Sequence, residues 1–212
     1  MKPDKEYNGR SRIRMFNCDC MDLMKSKPEN YWQLSIVDPP YGIGMDGGKR
    51  QYNEYEKKDW DKNIPSKDYF IAVNNTSQNQ IIWGGNYFGL PPTKCFLIWD
   101  KTFRGNTFAD AEYAWTSFNS PARIYSLNIC FIEKNGVKRI HPTQKPVQLY
   151  KWLLTNYAKE GDTIIDTHGG SMSIAIACWD LGFDLDICEL DTDYFNGGVK
   201  RFENHISQTQ LF

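Results

Sequence analysis

The tetrapeptide Asp38-Pro39-Pro40-Tyr41 is the segment best suited to chemistry. It directly follows the apolar run Leu34–Val37, which predicts a buried strand, and ligands of open α/β sheets bind beyond the carboxyl ends of strands. The Asp38 carboxylate and a rigidly held Pro39 carbonyl can accept hydrogen bonds from the exocyclic amine of a nucleobase, which makes its nitrogen a better nucleophile. The Tyr41 ring can stack on that base. A strand that simply ends in a Pro-rich turn is the alternative interpretation.

A second candidate segment lies within Thr163–Ala177, where a predicted strand ends at Asp166 and a loop through Thr167, His168, Gly170 and Ser171 leads into a helix. Such a loop allows close approach of the backbone to a ligand near a helix N-terminus. An ordinary short loop between a strand and a helix would look similar.

The next predicted strand ends at Cys188, and Glu189-Leu190 follow it. An acidic side chain at this place commonly accepts hydrogen bonds from ribose hydroxyls, so Glu189 is a candidate for binding a nucleoside. A solvated acid at the start of the last helix is the alternative.

The elements that must position these residues follow from apolar periodicity. The predicted strands are Leu34–Val37, Ile81–Trp83, Cys95–Trp99, Tyr113–Trp115, Ile124–Ile132, Thr163–Ile165 and Phe183–Cys188. The predicted helices are Pro146–Ala158, Ser171–Leu181 and a final one around Asp193–Phe202. Alternating strands and helices predict an α/β fold with a mostly parallel sheet and helices on both faces.

Composition limits the kind of protein. A chain of 212 residues that is 41% hydrophobic predicts one domain over residues 1–212. The net charge of -1 gives no overall signature of a polyanion partner, so a nucleic-acid surface has to be a local patch. The six cysteines lack metal-ligand spacing, so we expect reduced thiols and no metal. No long apolar run or leader is evident, which predicts a cytoplasmic protein without a membrane partner.

Two stretches are least constrained by these patterns, residues 42–67 and residues 101–139. The first is long, polar and Gly-rich, and such loops inside compact domains are usually functional or disordered. We expect a small target-recognition excursion within 42–67, within 101–139, or within both.

The placement of Asp38-Pro39-Pro40-Tyr41 resembles the DPPY element of the DNA amino-methyltransferases, although relatives that act on RNA or on protein glutamine share it. His141-Pro142-Thr143-Gln144-Lys145-Pro146 is similar to the HPTxKP element of the circularly permuted, β-type members. The segment from Asp166 to Ser171 resembles their cofactor loop, and the stretch from Glu189 to Phe195 resembles their Glu-x-Asp-x-x-Tyr stretch. These elements follow one another in this sequence in the same order as in the family, so a chance match of all of them is improbable.

The resemblance implies a Rossmann-like fold that binds S-adenosylmethionine. It places Lys145 or Thr143, with His141, near the methionine end of the cofactor, and it places Asp19 near the cofactor's adenine amine. The implied activity is methylation of the N6 amine of adenine, flipped out of double-stranded DNA, by a monomer or homodimer in a restriction-modification setting. Methylation of cytosine N4 and a catalytically silent DNA-binding homologue are the alternatives.

Two residues depart from the cofactor loop of the family, His168 where Phe is usual and Met172 where the last Gly is usual. Met172 places a side chain where the family keeps none, and two interpretations stay open: the side chain crowds the cofactor, or it packs productively against the ligand or the core.

The sequence ends in Gln208-Thr209-Gln210-Leu211-Phe212, which resembles the short peptides that dock on bacterial sliding clamps. Two interpretations of this tail stand side by side: it folds back onto the protein's own core, or it docks on a sliding clamp.

Overall fold

The computed structural model describes residues 1–49, 54–102, 104, 109–128 and 139–209. The strands are β1 (Lys5–Asn8), β2 (Arg12–Phe16), β3 (Trp32–Val37), β4 (Gly48–Lys49), β5 (Glu54–Tyr55), β6 (Ser77–Trp83), β7 (Phe96–Asp100), β8 (Ala111–Thr116), β9 (Arg123–Ser126), β10 (Thr163–Asp166) and β11 (Asp184–Cys188). The helices are α1 (Cys20–Lys25), α2 (Lys67–Thr76), α3 (Val147–Tyr157), α4 (Ser173–Leu181) and α5 (Thr192–Thr209).

Nine strands form one sheet in the order β1-β2-β11-β10-β3-β6-β8-β7-β9. Its centre is parallel, from β2 through β11, β10 and β3 to β6. From β3 the chain crosses to β6 on one side, whereas from β10 it crosses to β11 on the other. The gap between the carboxyl ends of β3 and β10 is therefore a topological switch point, where open α/β sheets bind ligands.

Helices cover both faces of the sheet, as predicted. Neighbouring residues of the central strands therefore point into two different hydrophobic cores. Ile164 packs in a core with residues of α3, α4 and α5, while Ile165 packs in a second core with residues of α1 and α2. Ile187 and Cys188 divide in the same way. The predicted fold class, a Rossmann-like α/β fold, is confirmed.

The predicted elements differ from the observed ones mainly at their ends. The predicted helix over residues 171–181 begins at Ser173 because Met172 is in a left-handed conformation, and the last helix extends to Thr209. Strands β1 and β2 and helices α1 and α2 were missed, since they are short or weakly apolar.

Part of the predicted excursion belongs to the main sheet. Strand β8 pairs antiparallel with β6 and β7, and β9 pairs parallel with β7. The predicted strand Ile124–Ile132 corresponds to β9, and its last residues, 129–132, lie outside the described part of the chain. A role of residues 42–67 or 101–139 in target recognition stays a prediction.

Among the described helices, none is long and apolar enough to cross a membrane. The tail prediction depends on residues 210–212, which lie outside the described residues.

Candidate active site

The loops that follow β2, β3, β10 and β11 open into one cleft of about 650 Å³ at the switch point. Predicted site residues that line it are Asp19, Asp38, Pro40, His141, Thr143, Lys145, Thr167, His168, Gly170, Ser171, Glu189 and Leu190. Since the carboxyl ends of parallel strands meet at one edge, the sheet brings these distant parts of the sequence together.

Asp38 follows β3, and both of its carboxylate oxygens accept hydrogen bonds. The Tyr41 hydroxyl donates to Oδ1 at 2.6 Å, and the Lys145 ammonium donates to Oδ2 at 2.5 Å. Burial raises the pKa of Asp38 and Glu112 raises it further, while Lys145 and the Tyr41 hydroxyl oppose the shift. The carboxylate is thus oriented at the wall of the cleft by two donors.

The Tyr41 ring lies against neighbours rather than in the open cleft. It stacks on Tyr87, with centroids 5.0 Å apart, and a side chain on Gly84 would overlap the Tyr41 ring. The segment from Trp83 to Tyr87, at the end of β6, is therefore in contact with the tetrapeptide. The expected stacking of Tyr41 on a base stays a prediction.

Lys145 lies at the cleft between two carboxylates. Its side chain is 3% exposed, and its ammonium lies 2.5 Å from Asp38 and 3.0 Å from Glu112. Both carboxylates raise its pKa despite burial, which opposes the charge. This ammonium is bound within the protein. The expected place of Lys145 near the methionine end of a cofactor stays a prediction.

The turn after β10 is shaped by two residues with positive φ, Gly170 at +49° and Met172 at +57°. Glycine adopts this conformation without strain, which explains why a glycine is usual at the Met172 position. The Met172 side chain is fully buried in the core and points toward Gly198, whose absent side chain leaves the space. Met172 is not among the residues that line the cleft, so the geometry favours the interpretation in which its side chain packs against the core.

His168 forms the floor of the cleft as an aromatic residue. Its ring packs edge-on against Tyr69 and its Nδ1 lies 2.9 Å from the Thr167 hydroxyl. Burial lowers the pKa of His168 to about 4, so the imidazole is neutral at physiological pH. A neutral, half-buried ring can fill the place that Phe has in the resembling loop.

Glu189 closes the turn from the neighbouring strand end. Its Oε2 accepts from the Gly170 backbone N–H and its Oε1 from the Asp191 backbone N–H, both at 2.8 Å. The carboxylate lines the cleft with its orientation fixed by backbone donors. Burial raises its pKa, and the two N–H groups oppose that shift.

Residues 58–60, within the segment 57–61, form part of the cleft wall that sequence reasoning did not identify. Lys58 bridges Asp191 at 2.6 Å and Asp193 at 2.8 Å, and the Trp60 ring lies 5.2 Å from that of His141. The buried Asp61 carboxylate accepts from three backbone N–H groups, those of residues 41, 42 and 45. Only the length and polarity of residues 42–67 pointed to a functional loop.

The loop before α3 adds His141, Thr143 and Gln144 to the wall. The Thr143 hydroxyl lies 3.1 Å from His141 Nδ1, and the Gln144 side-chain oxygen accepts from the backbone N–H of Ile140. Asp19 caps α1 by accepting from the backbone N–H of Met21.

Three predicted residues, Pro39, Tyr41 and Asp166, are not on the lining of the cleft. Asp166 is 1% exposed, and its carboxylate accepts from the His168 backbone N–H at 3.0 Å. Burial raises the pKa of Asp166 to about 8. Its place behind the turn is that of a residue that holds the loop.

Lining residues that sequence reasoning had not assigned to the site are Cys18, Cys20, Lys58, Asp59, Trp60, Gln144, Tyr150, Gly169, Asp191, Thr192 and Tyr194. Most of them neighbour predicted residues in sequence. The exceptions are residues 58–60, which reach the cleft from the long polar loop, and Tyr150, one turn into α3.

Comparison with known proteins shows similarity to DNA methylases. A family model described as a DNA methylase of the N6/N4 type matches residues 98–200. The type II methyltransferase M2.DpnII of Streptococcus pneumoniae is 25% identical, with 94% of this chain and 92% of the relative covered.

Solved structures share the fold. The PvuII DNA methyltransferase, cytosine-N4-specific, has 14% identity and a TM-score of 0.61, with 92% of this chain and 90% of that chain covered. The M1.HpyAVI–SAM complex has 17% identity and a TM-score of 0.58, with 89% and 99% covered. The match over residues 98–200 and these relatives show that the chain is similar to DNA methylases of the N6/N4 type.

Proposed function

We propose that this protein transfers a methyl group from S-adenosylmethionine to the exocyclic N6 amine of adenine in DNA. One observation carries the proposal. The Asp38 carboxylate, oriented by Tyr41 and Lys145, lines the same cleft as the Gly170 turn and Glu189. An acceptor for an amine and a site for a nucleoside thus adjoin at the switch point of the sheet.

The residues of the cleft fit S-adenosylmethionine. A volume of about 650 Å³ lies within the range of small-molecule sites. Glu189 stands at the strand end where an acid commonly binds ribose, and its orientation is fixed. The lining also carries more carboxylates than ammonium groups, which suits a cationic ligand. The carboxylates are Asp19, Asp38, Asp59, Glu189 and Asp191, and the ammonium groups are those of Lys58 and Lys145.

When bound, the cofactor would supply a methyl group from its positively charged sulfur to the amine nitrogen, with the sulfur–methyl bond broken, S-adenosylhomocysteine released and one amine proton lost. Asp38, which lines the cleft, accepts a hydrogen bond from one amine hydrogen and directs the nitrogen lone pair away from the aromatic ring. The expected second acceptor, the Pro39 carbonyl, belongs to a residue that is not on the lining of the cleft. Two prolines fix the backbone of this segment, so little ordering remains to be done during the reaction. Tyr41 and Lys145 hold the Asp38 oxygens in place.

The target base has to leave the DNA helix to reach this edge of the sheet. Adenine is the proposed target because Asp at the first position of the element is more often paired with adenine in the resembling family. Cytosine N4 requires the same acceptors, so the identity of the product decides between the two bases. The silent homologue loses its main support, since Met172 points into the core.

Product analysis tests the proposal. Purified protein is incubated with unmethylated bacterial genomic DNA and S-adenosylmethionine that carries a deuterated methyl group, and the digested nucleosides are analysed by mass spectrometry. We expect deuterated N6-methyladenine. Deuterated N4-methylcytosine would correct the target, and an absence of labelled base with every DNA tried would contradict the function.

A further inference from the structure

A row of four alternating charges extends from Asp38 into the sheet. Lys145 lies 2.5 Å from Asp38 and 3.0 Å from Glu112, and Glu112 lies 2.8 Å from Lys101. Glu112 is on β8 and Lys101 follows β7, so the row joins the loop after β3 to the antiparallel part of the sheet.

This row is well shielded from water. The exposed fractions of the side chains are 3% for Lys145, 10% for Lys101, 16% for Asp38 and 21% for Glu112. Charges placed this way interact more strongly than ion pairs on the surface, and the removal of one partner leaves a buried charge unpaired. The charge state of each member therefore depends on its neighbours.

The ammonium of Lys145 is shared between two carboxylates. Burial alone would raise the pKa of Glu112, but Lys145 and Lys101 together lower it to about 2, so Glu112 stays ionised. For Asp38 the balance differs. Burial and Glu112 raise its pKa, and Lys145 lowers it without cancelling the rise. Two ammonium groups, those of Lys145 and Lys101, lie beside Glu112. Asp38 contacts the Lys145 ammonium and shares it with Glu112.

We propose that Lys145 and Glu112 are positioning residues that set the charge state of Asp38: Lys145 keeps the carboxylate ionised, and Glu112 takes part of the ammonium's charge. This inference rests on the proposed function. Glu112 thereby prevents Lys145 from neutralising Asp38 fully. Since the strength of a hydrogen-bond acceptor follows its affinity for protons, Asp38 remains a strong acceptor for an amine hydrogen.

Other groups around Asp38 complete its surroundings. The Tyr41 hydroxyl donates to it, and Tyr150 on α3 and Asp166 at the end of β10 are near enough for its charge to raise the pKa of both groups. Burial raises the pKa of both tyrosines well above the usual value, so they remain neutral. Lys145 is the only cation that contacts Asp38 among the described residues.

The test is a titration of Asp38 observed directly. Full-length protein is labelled with ¹³C at the aspartate carboxyl carbons, and Asp38 is assigned by the loss of its NMR signal in Asp38→Asn. The titration midpoint is then measured in the wild type, Lys145→Met and Glu112→Gln, within the pH range where circular dichroism shows an intact fold. Glu160→Gln, the same change in an exposed turn, is the matched control.

The two variants should shift the midpoint in opposite directions. In Lys145→Met, Asp38 loses the one cation that contacts it in the described part of the chain, so the midpoint rises by about one to three pH units. Glu112→Gln keeps the shape and leaves the whole ammonium to Asp38, so the midpoint falls. If Glu112 only held Lys145 in place, its loss would raise the midpoint instead. An unchanged or raised midpoint in Glu112→Gln overturns the proposal, and this isosteric variant decides even if Lys145→Met does not fold.

The rate of methyl transfer gives a second readout. We expect the acidic limb of the pH profile of kcat to move with the NMR midpoint in each variant, while KM for DNA is unchanged. If the wild type transfers no methyl group, the proposed function fails, and the titration still tests the charge relation. If the wild type is active but the acidic limb of the pH profile is the same in both variants, the inference is overturned and the proposed function is not.

Discussion

The segment after β3 and the turn after β10 lie side by side at the switch point, yet they are held in different ways. Asp38 is oriented by side chains that are far away in sequence. Lys145 contacts it directly, and Glu112 acts on it through Lys145. The turn around Gly170 is held by backbone hydrogen bonds to carboxylates at strand ends. Charge relations thus govern the first segment, whereas local backbone geometry governs the second.

This difference assigns separate work to the two segments. A carboxylate whose charge is tuned by buried partners suits a step in which charge develops on a reacting amine. A turn that exposes backbone next to a fixed acid suits the binding of a nucleoside. Changes to the first segment should therefore alter methyl transfer, and changes to the second should alter cofactor affinity.

Asp38→Ala should give the largest effect. Without the carboxylate, the reacting amine loses a hydrogen-bond acceptor that acts during methyl transfer, so we expect kcat to fall by about 10²–10³-fold. Incorporation of a tritiated methyl group into DNA measures the rate. Turnover near that of the wild type would remove Asp38 from the mechanism.

Glu189→Ala tests the other segment. Loss of the charged acceptor frees two backbone N–H groups and removes a candidate ribose ligand, so cofactor affinity should fall by about 10–100-fold. Isothermal titration with S-adenosylmethionine measures it, and Glu189→Gln, which keeps one acceptor, should lose less. An unchanged affinity in both variants would place Glu189 outside the cofactor site.

Met172→Gly should change stability and leave cofactor affinity nearly unchanged. The variant loses a fully buried side chain but relieves a positive φ, so we expect a net loss of about 2 kcal/mol in the free energy of unfolding. Denaturant unfolding measures this.

Gly198→Ala is the matched control for Met172→Gly, because an added Cβ would lie 2.4 Å from Met172 Cγ. It should destabilise the wild type more than it destabilises Met172→Gly. Tighter cofactor binding by Met172→Gly with unchanged stability would mean that the side chain crowds the cleft.

Lys58→Ala should have the smallest effect. Its ion pairs with Asp191 and Asp193 link the 57–61 segment to the start of α5, but Asp193 is 78% exposed and such pairs contribute at most about 1 kcal/mol. We expect a decrease of less than about fivefold in cofactor affinity at low salt, and little difference at high salt. A large, salt-independent loss would give this segment a greater role in binding.

The sequence predicted those parts of the site that are local. Asp38 and the Gly170 turn are each encoded in a few consecutive residues next to an apolar strand, and so is Glu189. Glu112 was missed because its partner Lys145 is far away in sequence and pairs with it only after the sheet forms. Its one signal is an acid bordering the apolar run that became β8.

The fold was predicted where periodicity is strong, as in α3 and the strands from β10 onward. Met172 shows the limit of reasoning from a pattern. The sequence reveals that a side chain replaces the usual glycine, but its direction depends on Gly198, in a helix that packs against the turn.

The most direct test of the division of work between the segments is a calorimetric titration of S-adenosylmethionine into Asp38→Ala, with the fold verified by circular dichroism. We predict an affinity within about twofold of the wild type, although the variant transfers methyl groups poorly, because Asp38 acts on the amine. A loss of cofactor binding as large as that of Glu189→Ala would contradict the account, since both segments would then serve the cofactor.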